Sequence, residues 1–325
     1  MYRQHFGLKK SPFDLSPDAD ALFLSETHKE GLATLKYGIL SRKGFVLLTG
    51  EAGTGKTTLI NVLVKSLRST NKVCVLSNPV LKRDEFLFFI ASRFDIPFTD
   101  KAKFLLDFSE MIKKTAQNRQ KILLIIDEAH ILPVELLEEI RLLSNLAGSG
   151  LDVFSIFLVG QPELRDRLAD QRLLPLRQRI GIRYHLDAFS LEDTVHYILF
   201  RLNRAGAASA HLFSDEAFQD IYRATRGNPR LINVLCDNAL LGGYSYGKLV
   251  IDEKIVRECV KELHMAESSE GIERSSLLGG RIRRLRILVA SVVSFLILLA
   301  VIAAFYHSNI THSLGRVTQK LQNIL

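Results

Sequence analysis

Cysteine is scarce in this chain: Cys74, Cys236 and Cys259 are its only three among 325 residues. None stands in a CxxC pair or at metal-ligand spacing, and the odd number leaves one thiol over. That excludes a disulfide framework and matches a reducing compartment. The N-terminus, MYRQHFGLKKSPFDLSPDAD, lacks the apolar run of a secretory leader, so no cleavable signal peptide is expected. No internal repeat occurs. The folded part also lacks surplus charge. Of the formal +8, residues beyond 270 carry +6, from Arg274, Arg281, Arg283, Arg284, Arg286, Arg316 and Lys320 against Glu273 alone, which leaves +2 for the rest. A near-neutral globular part argues against nucleic acid as a partner.

Apolar sequence is abundant, at 47% of the chain, enough to bury one or two ordinary cores. ILVASVVSFLILLAVIAAFY, residues 287–306, runs twenty positions without a charge. As a helix rising about 1.5 Å per residue it would cross a bilayer. RIRRLR stands directly before it, whereas only Arg316 and Lys320 follow. The positive-inside rule then places residues 1–286 in the cytoplasm and 307–325 beyond the inner membrane. A buried core helix is the competing reading, but an all-round apolar stretch beside an arginine cluster is poor core design. Residues 266–286 read as a basic juxtamembrane linker, small and polar in AESSEGIERSSLLGG. The tail could form a short amphipathic helix, with Leu314, Val317, Leu321 and Ile324 on one face, or remain an unstructured stub.

Between residues 45 and 186 strand and helix patterns alternate. FVLLT (45–49), VCVLS (73–77), ILLIID (122–127), FSIFLV (154–159) and IRYHL (182–186) read as strands, mostly apolar throughout, as strands of a parallel sheet buried on both faces should be. Such alternation predicts an α/β domain with a doubly wound parallel sheet over residues 1–186, its N-terminal segment included. After Leu186 only helical periodicity remains, predicting an all-helical domain over 187–265.

GEAGTGKT, residues 50–57, satisfies GxxxxGK[ST] between a strand and a helix, the context in which that pattern holds phosphate. Gly50, Glu51, Ala52, Gly53, Thr54, Gly55, Lys56, Thr57 and Thr58 are the candidate nucleotide-binding residues. Small residues let the backbone N–H groups of 52–57 wrap a phosphate chain, and the helix N-terminus adds its positive dipole end. Lys56 would reach the β- and γ-phosphates, and the Thr57 hydroxyl would ligand Mg²⁺. In ILLIIDEAH, Asp127 ends a buried strand and is the second candidate metal ligand, while Glu128 would polarise the attacking water; alternatively the pair caps the following helix. DEAH also invites a helicase reading, but helicases of that kind need two such sheets. No NKxD pattern supports guanine. Gln161, after FSIFLVG, is either a γ-phosphate sensor or a surface or helix-capping residue. Arg177 and Arg179, before the last strand, form either a basic turn or a charge donated to a neighbour's nucleotide. Arg230 begins a helix after Gly227 and Pro229, where an arginine opposes the dipole unless an anion is near, which favours a nucleotide contact.

In combination, MYRQHFGLKKSPFDLSPD, FLSETHKEGLATLKYGI, GFVLLTGEAGTGKTTL, LLIIDEAH, LVGQPEL, LRQRI and GNPRLIN resemble the AAA+ ATPase family, and within it the branch of general secretion pathway protein A and its relatives in pilus and exopolysaccharide loci. The resemblance covers nearly all of residues 1–265. It implies a P-loop ATPase using ATP and Mg²⁺, with a helical lid over 187–265, Gln161 as sensor 1, Arg230 as sensor 2 and Arg179, or less surely Arg177, as a finger acting in trans. It further implies a homo-oligomer, an FGLKKSPF segment near the adenine, and partners in an envelope export or secretion system at the inner membrane. Only nineteen residues follow Tyr306, so direct peptidoglycan binding is not expected. A nucleic-acid-directed AAA+ regulator, of the kind that assists transposition, is the alternative function.

Overall fold

Five of the apolar segments become strands: β1 (Phe45–Thr49), β2 (Lys72–Leu76), β3 (Ile122–Ile126), β4 (Phe154–Gly160) and β5 (Ile180–His185). They form one parallel sheet in the order β2-β3-β4-β1-β5. The computed structural model describes residues 1–14, 23–41, 44–67, 70–77, 79–146, 153–207 and 211–263. Every residue of β1, β3 and β4, the three central strands, is buried, which is why their sequences are continuously apolar. β5 begins two residues earlier than its apolar run predicts. Its pairing with β1 slips at Gly181, since Phe45 faces Ile180 while Val46 faces Ile182.

Period-two alternation sorts each strand between two cores. Leu47, Leu124, Ile126, Ile156 and Leu158 face one side. There they meet Phe86, Leu87 and Ile90 of α4 (Arg83–Arg93), Phe104 and Phe108 of α5 (Lys101–Gln117), and Leu137 and Ile140 of α6 (Val134–Asn145). The short helices α7 (Glu163–Leu168) and α8 (Leu174–Arg179) close the same side with Leu164, Leu168 and Leu176. Val46, Leu48, Leu123, Ile125, Phe157 and Val159 face the other side. They pack on Leu35 and Ile39 of α2 (Glu26–Leu40) and on Leu59, Ile60 and Leu63 of α3 (Lys56–Leu67). Each such side chain, fully buried, stabilises the fold by about 1.5–3 kcal/mol relative to exposure.

Four helices follow the sheet where their periodicity predicts them: α9 (Leu191–Arg204), α10 (Asp215–Thr225), α11 (Pro229–Ser245) and α12 (Glu253–Glu262). Ser190, Ser214, Asn228 and Asp252 cap their first turns through side-chain oxygens. The first fourteen residues, with α1 (Tyr2–His5), are held by these helices. Tyr2 Oη donates to Asp237 Oδ1 at 2.5 Å, Lys9 N to Ala205 O at 2.8 Å, and Arg201 Nε to Pro12 O at 2.5 Å. Met1–Leu263 is one compact unit. Among the described residues no helix is long and apolar enough to cross a membrane. The expected juxtamembrane linker, the 287–306 span and the 307–325 tail lie outside the described residues.

Candidate active site

The glycine loop joins β1 to α3 at the carboxyl edge of the sheet. Gly53 and Gly55 have φ of +83° and +99°, in the region that side chains other than glycine's avoid. A Cβ on Gly53 would also lie 2.7 Å from Asn228 Oδ1 and 2.8 Å from Arg230 Cβ, so the start of α11 sits directly on the loop. Lys56 is 5% exposed, and its ammonium donates to Gly50 O at 2.8 Å and Glu51 O at 2.9 Å. Burial pulls its pKa below the ordinary lysine value, opposed by the carboxylates of Glu128, Asp127, Glu51 and Glu163. The Thr57 hydroxyl donates to Asp127 Oδ2 at 2.6 Å, and the Glu128 backbone N–H donates to Asp127 Oδ1 at 2.9 Å. Asp127, 3% exposed, thus has both oxygens engaged at the end of β3. Thr57 and Asp127 bring two hard oxygen donors together, the ligand type that suits Mg²⁺, which keeps waters and takes one or two protein ligands beside phosphate. Among the described residues no group of three His, Cys, Asp or Glu forms a site for another metal.

Glu128 turns the chain sharply, at φ +54°, out of β3 into the short 3₁₀ turn Ala129–Ile131. Its carboxylate Oε2 lies 3.3 Å from His130 Nδ1. β4 does pair with β3, as the sensor reading of Gln161 requires, and Gln161 follows β4 directly. Its Nε2 lies 3.2 Å from His130 Nε2. Lys56, Thr57, Asp127, Glu128 and Gln161 therefore meet at one edge. Arg230 joins them through the contact of its Cβ with the loop, its side chain exposed. The arginines before β5 do not. Arg179 Nη1 donates to Ser144 Oγ at 2.7 Å on α6, while Arg177 lines a cleft of about 340 Å³ with Arg165, Arg183 and His185. No hydrogen bond or ion pair among the described residues links either to the glycine loop, Asp127 or Glu128.

Residues 39–168 match the family described as AAA domain. Over 251 residues the chain is 39% identical to general secretion pathway protein A of Aeromonas hydrophila, covering 76% of this chain and 46% of that protein. Residues 39–168 thus form an AAA domain. The chain spans less than half the length of the curated relative it matches. The same fold occurs in Cdc6p from Pyrobaculum aerophilum, with a TM-score of 0.59, 19% identity, and coverage of 78% of this chain and 70% of that one. Drosophila ORC bound to DNA is similar too, with a TM-score of 0.58, 16% identity, and coverage of 81% and 65% respectively. At these identities the likeness is one of fold alone.

Three residues whose roles motif reading passes over help to build the site. His28 of α2, 3% exposed, places Nε2 3.1 Å from Thr54 O and Nδ1 2.7 Å from Ser25 Oγ. A carbonyl only accepts, so Nε2 carries the proton and Nδ1 accepts from Ser25. Burial lowers the pKa of His28 and keeps the ring neutral. Asn228 caps α11 through Oδ1 and donates from Nδ2 to Ala52 O at 2.7 Å, tying the helical part to the loop. His130 is the third. Asparagine before Pro-Arg is a legible helix cap and His130 closes the DEAH run, but nothing local gives either histidine its contacts.

Proposed function

We propose that this chain is a membrane-anchored AAA+ ATPase that uses Mg-ATP hydrolysis to assemble or position an envelope export system. The observation that carries this reading is the joining of Lys56, Thr57, Asp127 and Glu128 at one sheet edge, in a chain related to a protein named for general secretion. In this reading the N–H groups of 52–57 hold the phosphates, and Lys56 leaves its two loop carbonyls to meet the β- and γ-oxygens. Thr57 and Asp127 would hold Mg²⁺, which when bound neutralises charge on the phosphate oxygens. Glu128 accepts the proton of the attacking water. The water oxygen bonds to the γ-phosphorus as its bond to the bridging oxygen breaks, leaving ADP and phosphate. Gln161 orients the water or the γ-phosphate, and Arg230 brings positive charge from a lid over residues 187–265. Arg179, exposed at the end of α8, leaves Ser144 to serve the nucleotide of a neighbouring copy, so the working form is a homo-oligomer. The nucleic-acid-directed alternative gains nothing from likenesses of fold alone.

The anchor in this proposal is the run 287–306, with the ATPase domain held on the cytoplasmic face of the inner membrane. Cys74, Cys236 and Cys259 are all buried, so a cysteine introduced elsewhere is the accessible thiol among them. Ser308→Cys should react with an impermeant maleimide added to the periplasm, and Ser268→Cys only after lysis. The reverse pattern, or recovery of the protein in the soluble fraction after a high-salt wash, would contradict the anchoring. Cross-linking before solubilisation should capture export components; capture of none would contradict the export role.

A further inference from the structure

We infer that His130 is a positioning residue for ATP hydrolysis, holding the water-activating Glu128 and the sensor Gln161 as one hydrogen-bonded unit. This rests on the ATPase reading above and deepens it. The sharp turn at Glu128 swings the next residues back over the end of β4. His130 lands there closely enough that a Cβ on Gly160 would lie 3.2 Å from its backbone nitrogen and 3.4 Å from Nδ1. Arg167 of α7 fastens the same turn by donating to Leu132 O. The ring, with its side chain 15% exposed, is therefore held between the ends of β3 and β4.

Its two nitrogens face the two candidate catalytic groups, Nδ1 at 3.3 Å from Glu128 Oε2 and Nε2 at 3.2 Å from Gln161 Nε2. An ionised carboxylate only accepts, so a neutral ring must carry its proton on Nδ1 to bond Glu128. Nε2 is then left with a lone pair, and the Gln161 amide must present its NH₂ group to it. One N–H of that group is spent on His130 while the other stays available for the γ-phosphate or the water. The opposite tautomer cannot do this. With Nδ1 unprotonated, the ring would accept from the Gln161 backbone N–H, 3.5 Å away, and release Glu128. One proton position thus aligns the base and settles which way the sensor amide points. This is the arrangement in which a third group orients a catalytic base.

His130→Ala in the full-length protein should lower kcat about 10- to 100-fold, the usual effect of losing a partner that orients a functional group. ATP affinity, followed with a fluorescent non-hydrolysable analogue and Mg²⁺, should remain close to that of the unsubstituted protein; this also reports folding. His130→Asn, whose amide N–H can replace Nδ1–H toward Glu128, should recover part of the lost rate. In a Glu128→Gln background His130→Ala should cost little more, because the group it orients is already gone. Unchanged turnover in His130→Ala, parallel loss of binding and turnover, or no recovery in His130→Asn would overturn the role. If the unsubstituted protein fails to hydrolyse ATP, the ATPase reading falls and this role with it. If it hydrolyses ATP and His130→Ala matches it, only this role falls.

Discussion

His28 illustrates how one buried side chain can govern the glycine loop without touching phosphate. Its ring donates to the Thr54 carbonyl and packs tilted against Phe189, ring centroids 5.4 Å apart, so its neutral form is built into the folded state. Burial holds its folded pKa below the ordinary histidine value of 6.5. As pH falls through that ordinary value, the unfolded chain takes up a proton that the folded chain refuses, and folding weakens. Thermal stability should therefore drop as pH goes from about 7 to 5. His28→Gln should be less stable at neutral pH, yet show a flatter acid-side decline. An equally steep decline in His28→Gln would assign the acid sensitivity to other groups.

Between elements, the contact that matters most is the one from α11 to the glycine loop. Asn228 serves it with both ends of its amide, Oδ1 on the backbone N–H groups of Arg230 and Leu231, and Nδ2 on Ala52 O. Asn228→Ala should cost about 0.5–2 kcal/mol of stability through the lost cap and should also reduce ATP turnover. Asn228→Ser keeps a capping oxygen but cannot reach Ala52. Thermal melts near those of the unsubstituted protein with reduced turnover in Asn228→Ser would separate the tether from the cap; full turnover would show that the tether is dispensable. These contacts also explain what was legible in the sequence. The strands announced themselves because β1, β3 and β4 are buried on both faces, and the glycine loop because φ beyond +80° at Gly53 and Gly55 demands glycine. The helices after β5 showed in their periodicity. The tether, the His28 support and the His130 bridge join residues 176, 26 and 31 positions apart, so no local pattern encodes them. The early start of β5 was missed because Gly181 interrupts its apolar run with a slip in pairing.

At the scale of the whole molecule, the open question is how many copies make one working site. Within a single chain Arg179 is tied to Ser144 of α6, and no hydrogen bond among the described residues links it to the glycine loop. An arginine supplied by a neighbour can contribute about 10³–10⁵ in rate, so an isolated subunit should turn over slowly. Specific activity should rise with protein concentration. Mixing Arg179→Ala with Lys56→Ala subunits should restore part of the turnover, since one brings an intact nucleotide site and the other an intact arginine. Activity independent of concentration, with no recovery in any mixture, would remove Arg179 from a trans role.

Hydrolysis at the edge formed by Lys56, Thr57, Asp127 and Glu128 is tested most directly by comparing ATP binding and turnover in Glu128→Gln and Lys56→Ala beside the unsubstituted full-length protein. Glu128→Gln should bind ATP with near-normal affinity while turnover falls by about 10²–10⁴, the usual worth of a general base. Lys56→Ala should lose about tenfold or more in binding itself, as a charge-assisted contact to phosphate is removed. Turnover by Glu128→Gln equal to that of the unsubstituted protein would contradict the assignment of this edge as the site of hydrolysis.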